Sequence, residues 1–380
     1  MNFDYTEEQQ MVRDSIARFV QDDYDWDTRR AIVASDEGMS RDNWQTMAEL
    51  GWLSIPFSEA DGGFGGNIVD LSVVMEEMGK GLVVEPFFPT VVLFGGVVAR
   101  AGDEAQRASI LESVIGGETL GAFAYVERQS RYAIADCKTS ATKSGDGYTL
   151  TGEKVVVFNG ENADKLVVLA RTSGDQFDET GLSLFVVDAN AEGVSKVCYP
   201  MMDAQRVANI TFDNVQLGAD ALLGEEGAAA GVVHDVVREA LVALASEAVG
   251  IMGTLNAKTL EYTKTREQFG VAIGSFQALQ HRMVDAMMAY EQAKSLLFKA
   301  LCEYKIDPAS AETTIHALKV LIDRNSKLIY GEAIQMHGGM GITDELDIGH
   351  YAKRLMMINA TLGDGTFHRT KFIESTYAAA

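Results

Sequence analysis

The chain predicts an α+β fold with its helices and strands in separate blocks, because three patterns coincide. Its five prolines lie at 56, 86, 89, 200 and 308, which leaves long tracts where helices run uninterrupted. Short β-branched and aromatic runs split by turn residues fill roughly 119–226, and apolar residues at helical spacing occupy both flanks. These shifts predict an N-terminal helical domain over 1–118, a middle β-domain over 119–226 and a C-terminal helical bundle over 227–380.

The first helix opens on a capping box, Thr6-Glu-Glu-Gln9, and buries Val12, Ile16, Phe19 and Val20 on one face, leaving Asp14 and Arg18 outside. Ser40 caps a second helix whose apolar positions Trp44, Met47 and Leu50 stop at Gly51. After the turn Gly62-Gly-Phe-Gly-Gly66, helices are expected around Leu71 to Met78 and Ile110 to Ile115. Strands are expected at Phe123–Val126, Tyr148–Thr151, Val155–Phe158, Leu166–Leu169, Leu182–Val187 and Ile210–Phe212, with turns at Gly145-Asp-Gly147 and Asn159-Gly160. The helical period returns over 229–264, 276–304, 309–337 and 366–376, as Ala- and Met-rich segments of the kind that pack as antiparallel bundles.

Composition narrows function. With 380 residues and 47% hydrophobic content the chain buries more than one core, and a net charge of -23 repels polyanions, so nucleic acid and anionic membrane surfaces are excluded as partners. No apolar run of membrane-spanning length stands out, and Met1 to Thr6 has no basic region followed by an apolar one, which predicts a soluble, cytoplasmic chain. Cys137, Cys198 and Cys302 are odd in number and far apart, so neither a disulfide frame nor a structural metal site is expected.

Three segments carry chemistry. There is no Gly-x-Gly-x-x-Gly after a strand and no Walker loop. Arg266-Glu-Gln-Phe-Gly270 closes one helix and Gly274-Ser-Phe-Gln277 opens the next; Arg266 there either grips a phosphate, with Phe269 against a flat ring, or interacts with the helix dipole. Gln335-Met-His-Gly-Gly339 ends a helix with glycines that a ligand can approach closely, or forms a plain C-cap. Gly363-Asp-Gly365 places Asp364 ahead of the last helix, as a carboxylate projecting into a cleft or as an ordinary N-cap.

Together and in register, these segments resemble the acyl-CoA dehydrogenase family over essentially the whole chain. The likeness also includes Pro56 to Gly66, Lys154-Val-Val-Val-Phe-Asn-Gly160 and Leu222-Leu-Gly-Glu-Glu-Gly227. The resemblance implies a helical N-terminal domain, a β-barrel-like middle domain, a C-terminal four-helix bundle and tetramers with FAD between subunits. It implies that Arg266, Gln268, Phe269, Phe276, Gln277, Gln335, Gly338 and Gly339 reach a neighbour's FAD, that Thr366 and His368 complete the pocket, and that Tyr125, Val126 and Phe158 line the middle-domain side. It also implies that Asp364 is the base where most relatives carry Glu, its backbone amide being one donor to the thioester oxygen.

The departures are specific. Val156-Val-Phe158 replaces the family's Trp-Ile-Thr, and Val126-Glu-Arg-Gln-Ser-Arg-Tyr-Ala133 replaces Thr-Glu-Pro-x-Ala-Gly-Ser-Asp, so two flavin-side hydroxyls and an indole are missing. Leu241 stands where Arg is common and Arg238 where Asp often sits; Glu239 is one residue from an alternative base position, Ala240, about 100° away around a helix. Asp also falls short of Glu by roughly 1.5 Å, a misplacement of the size that costs on the order of 100-fold in rate. The resemblance thus implies oxidation of an acyl-CoA to its trans-2-enoyl-CoA in fatty acid β-oxidation, with electrons passed to an electron-transfer flavoprotein. The departures resemble paired two-gene members acting on dicarboxylyl- or steroid-side-chain CoA thioesters, such as the small subunit of a pimeloyl-CoA dehydrogenase. The chain is expected as a homo-oligomer or as a hetero-oligomer with a paralogous subunit, and two alternatives stand beside the first reading: a catalytically silent subunit of a heteromeric acyl-CoA dehydrogenase, and a flavoenzyme of this fold with a non-dehydrogenase reaction.

Overall fold

A computed structural model describes residues 5–377; the start of the Met1 to Thr6 segment and the last three residues lie outside the described residues. In chain order the elements are helices α1 (Glu7–Asp22), α2 (Trp26–Val33), α3 (Arg41–Glu49), α4 (Ile68–Gly81), a π-helical turn Phe88–Gly95 continuing as α5 (Gly96–Ala101), and α6 (Glu104–Ile115). Strands follow as β1 (Gly121–Ala124), β2 (Ser140–Ser144), β3 (Gly147–Phe158), β4 (Lys165–Arg171), β5 (Leu182–Asp188), β6 (Val194–Pro200), β7 (Arg206–Leu217) and β8 (Leu222–Leu223). Then come α7 (Ala229–Thr265), a hairpin of β9 (Glu267–Gln268) and β10 (Val271–Ala272), α8 (Gln277–Ile306), α9 (Glu312–His337), α10 (Ile348–Ala360) and α11 (Gly365–Tyr377).

Local chemistry explains most boundaries. The capping box forms at Thr6 and Gln9, and the Ser40 hydroxyl accepts from the Asn43 N–H. Two expected strands are one, β3, broken by register shifts between Leu150 and Gly152 and between Lys154 and Val157, where Val156 adopts a φ of 51°. The first strand ends at Ala124, not Val126. Strands β2 and β6, mostly exposed along their length, give little apolar alternation, and α2, α5 and α10 are helices beyond those expected.

Contacts divide the chain into two compact units, one of Met1–Arg30, Ile68–Val83 and Leu241–Ala380, the other of Ala31–Asn67 and Val84–Ala240. In the first, α9 packs against α8, α10 and α11. In the second, an eight-stranded sheet runs β6-β7-β3-β2-β4-β5-β8, with β1 added parallel to β4. Its core holds Leu150, Leu166, Val168, Phe185, Ile210 and Phe212. Helix α7 corrects one expectation: by length and composition it does reach membrane-spanning apolarity, but 78% of its apolar window is buried, as in a core helix.

Candidate functional site

The last turn of the first unit is built around strain. Leu362 has a φ of 59° and Gly363 one of 121°, and a Cβ on Gly363 would lie 2.4 Å from His368 Nε2, so only glycine fits there. The next residue, half-buried Asp364, caps α11: its Oδ1 accepts from the N–H groups of Thr366 (2.9 Å) and Phe367 (2.8 Å). Both readings of Asp364 therefore share one geometry, since the cap occupies Oδ1 and leaves Oδ2 without a hydrogen-bond partner among the described residues.

Two buried groups that sequence reasoning missed secure this turn. Lys319 of α9 donates to the carbonyl oxygens of Ile358, Asn359 and Thr361, the last at 2.8 Å, satisfying the C-terminal end of α10. Burial pulls Lys319 down to about 7, against the opposing pull of Asp323 and Asp364. His368 Nε2 lies 3.1 Å from the Leu362 carbonyl oxygen and its Nδ1 lies 3.0 Å from Nδ1 of His316. Burial, reinforced by Lys319 and His316, brings His368 down to about 3, so the ring is neutral. With both ring nitrogens engaged and the side chain in the core, His368 braces the turn. A signal for these residues existed, since His316 and Lys319 interrupt the apolar stripe Ile315, Leu318 and Ile322.

A second cluster sits at the ends of α7 and α9. The Tyr262 ring, one helical turn before Arg266, stacks on His337, which precedes Gly338, with centroids 4.2 Å apart. Arg266 and Gln268 are exposed, Phe269 is 92% exposed with a φ of 56°, and its ring meets Phe276 edge-on at 6.2 Å. Gln277 begins α8, Gln335 is exposed on the last turn of α9, and no atom lies within 4 Å of a Cβ built on Gly338 or Gly339. An exposed guanidinium, two exposed rings and bare glycine backbone suit the phosphates and flat rings of a dinucleotide. Thr366 is exposed and supplies a backbone donor to Asp364.

In the second unit, Tyr125 stacks on Phe123 with centroids 4.9 Å apart, and Val126 accepts a hydrogen bond from Val155 N–H at 2.9 Å. Phe158 stands edge-on to Phe88 at 6.4 Å. None of Val126, Val156 and Phe158 offers a side-chain donor, so polar contact on this side falls to the Tyr125 hydroxyl and backbone groups. Glu239 is ion-paired with Arg100, which removes it further from any role as base.

Three sequence models of the acyl-CoA dehydrogenase family match the chain: the N-terminal domain over 6–118, the middle domain over 122–215 and the C-terminal domain over 232–374. Among curated proteins, a short-chain specific acyl-CoA dehydrogenase of Clostridium acetobutylicum is 27% identical over 92% of each chain. An L-prolyl-[peptidyl-carrier protein] dehydrogenase of Serratia sp. is 28% identical over 96% of this chain and 95% of the relative. Among solved structures, the FAD complex of PigA superposes with a TM-score of 0.92 at 25% identity over 100% of both chains.

Proposed function

The chain belongs to the acyl-CoA dehydrogenase family, FAD-dependent oxidoreductases acting on a CH–CH bond, and from that premise we propose that Asp364 is the base which starts the oxidation of an acyl thioester. The observation that carries this reading is the Asp364 turn: the cap fixes one carboxylate oxygen, and the other is left to take a proton. A thioester α-proton is weakly acidic, so its removal needs a positioned base and a donor to the carbonyl oxygen that gains charge. The Asp364 N–H, which donates to no group among the described residues, is that donor. FAD, when bound, takes up the β-hydrogen as hydride. Arg266, Phe269, Gln335 and the Gly338-Gly339 backbone would hold it, with Gln268, Phe276 and Gln277 beside them.

The finer parts of the reading concern partners. We propose an electron-transfer flavoprotein as acceptor and an oligomer in which this cluster serves a neighbouring copy or a paralogue. Half-exposed Val284, Met287 and Met288 on α8 support assembly, because such side chains gain from cover. The acyl carrier is either CoA or a carrier protein, since relatives of both kinds align along nearly the whole chain.

Anaerobic titration of the flavin-loaded protein with straight-chain, dicarboxylyl and steroid-side-chain CoA thioesters, and with a prolyl-loaded carrier protein, tests this. One class should bleach the flavin absorbance, and Asp364→Asn should bind that thioester without bleaching. Failure of every thioester to bleach wild-type protein would remove the dehydrogenase assignment.

A further inference from the structure

We propose that His316 is a positioning residue for the base: acting through His368, it latches the strained turn that carries Asp364. The inference rests on the reading of Asp364 as base and adds to it a residue on another helix, α9.

The hydrogen-bond roles follow from chemistry. A carbonyl oxygen only accepts, so His368 Nε2, 3.1 Å from the Leu362 oxygen, carries a hydrogen. Being neutral, the ring then presents Nδ1 as an acceptor, and the group facing it at 3.0 Å, His316 Nδ1, is the donor. The tautomers of both rings are fixed by one backbone carbonyl. That carbonyl belongs to Leu362, which sits in the left-handed region at a φ of 59°, two residues before Asp364. A leucine held there is strained and persists only where its surroundings over-determine it. The hydrogen bonds from Lys319 to the Thr361 carbonyl and from His368 to the Leu362 carbonyl hold the two peptides that flank the Leu362 Cα and supply that constraint. The backbone N–H of His368 also donates to the Asp364 carbonyl oxygen at 3.0 Å, so the residue that carries this ring is bonded to the base residue's own backbone.

The charged and titratable groups around the pair define its response to pH. Helix α9 contributes Glu312, whose Oε1 lies 3.7 Å from His316 Nε2, together with Lys319 and Asp323; α11 contributes His368, and the turn contributes Asp364. Helix α10 presents backbone carbonyls. A proton on His316 Nε2, 3.7 Å from the Glu312 carboxylate, leaves the Nδ1–H to Nδ1 bond intact. A proton on His368 instead sets N–H against N–H, breaks the bond and frees the ring. Lys319 and burial oppose that second proton, and the donor bond from His316 opposes it further. Without that bond, His368 should take up protons at higher pH and the turn should loosen in mild acid.

The test compares His316→Leu, which deletes the donor, with His316→Asn, whose amide N–H replaces Nδ1–H, and His316→Gln, which carries its amide one bond too far. In FAD-loaded protein labelled with carbon-13 at its six histidines, the His368 resonance should not titrate above pH ~5 in wild type or His316→Asn, and should titrate toward its ordinary value near 6.5 in His316→Leu or His316→Gln. Stopped-flow flavin reduction by the thioester should be slower by about 10-fold or more in His316→Leu, with thioester affinity little changed, a deficit that grows as pH falls from 7 to 5.5 and is restored in His316→Asn. If His316→Leu does not fold, His316→Gln carries the same arms. Wild-type rates and pH profile in both donor-displaced variants, with Asp364→Asn inactive, would overturn the latch while leaving the base in place. Activity in Asp364→Asn would overturn the base and the latch with it, whatever the histidine titrations show about the pair.

Discussion

Glu127 and Lys154 form a fully buried ion pair, with Lys154 Nζ 2.8 Å from Glu127 Oε1. Burial alone would push the Glu127 carboxyl up, but the Lys154 ammonium and hydrogen bonds from Lys154, Gln129 and the Thr139 N–H outweigh it and bring the group to about 2. The pair ties the segment after β1 to β3, because Glu127 also accepts from the N–H groups of Lys138 and Thr139. It thereby fixes the backbone of Tyr125 and Val126, whose Tyr125 carbonyl oxygen also accepts from Lys154.

The depressed Glu127 value fixes the sign of a pH effect. The unfolded carboxyl takes up a proton near its ordinary 4.5 while the folded one holds out to about 2, so the stability it supplies is present above 4.5 and lost as pH falls through 2. A difference of that size is worth about 3 kcal/mol. Glu127→Gln should lose about 3–5 kcal/mol at neutral pH by leaving Lys154 buried without its carboxylate. Urea unfolding between pH 3 and 7 should also show a shallower acid slope for this variant, and identical slopes would refute the assignment.

Helices α4 and α7 touch backbone to backbone. A Cβ on Gly250 would lie 2.1 Å from the Glu76 carbonyl oxygen, and one on Gly79 would lie 2.4 Å from that of Glu247. Gly250→Ala removes a helix-weakening glycine and by propensity alone would stabilise by about 1 kcal/mol. The clash is with backbone, which cannot step aside, so the net expectation is a loss of about 2 kcal/mol. Thermal unfolding measures the sign, and a stabilised variant would contradict this packing.

How much of this was legible in the sequence depended on how local the signal was. The capping box at Thr6 and the Ser40 cap involve residues three apart, and both form as expected. The Asp364 cap is equally local, yet its meaning was ambiguous until the structure showed which oxygen the cap uses. His316 and His368 are 52 residues apart and meet only because α9 and α11 pack together, and Lys319 reaches α10 in the same way. Phe158 read as a ring beside a flavin, and its edge-on packing against Phe88 depends on a helix whose π-helical turn no propensity rule anticipates. Tertiary partnership is what a single sequence does not display.

Flavin retention tests the α7–α8 hairpin directly. Arg266 carries the only permanent charge in the Arg266, Phe269, Gln335 and Gly338 set, so Arg266→Ala should weaken FAD binding by roughly 1.5–3 kcal/mol, that of a charged hydrogen bond. Phe269, being exposed, should be replaceable by Ala with little change in melting temperature but with lower flavin occupancy. Absorbance of purified protein before and after incubation with added FAD reports both. Because the cluster is proposed to serve a neighbouring subunit, light scattering should find a dimer or tetramer at micromolar concentration, and a monomer would sink the shared-site arrangement unless a paralogous partner restores assembly.

The capping geometry of Asp364 separates structure from chemistry at one residue. Asn caps a helix about as well as Asp, so Asp364→Asn should keep the hydrogen bonds to Thr366 and Phe367 and leave stability within about 0.5 kcal/mol of wild type. Asp364→Ala loses the cap and should cost about 1 kcal/mol. Both variants lack the second oxygen that takes the proton, so both should fail to reduce flavin, although only one is destabilised. Asp364→Glu tests reach: a longer side chain restores the family's distance if the backbone sits in the usual place, and activity is kept or raised. The turn argues against a compensating shift, because Gly363 and Gly365 lie against His368 and Asp323 with no room for a Cβ. The expected order of flavin reduction is therefore Glu at or above Asp, with Asn and Ala far below. Asn matching Asp in rate would show that the carboxylate is a cap and nothing more.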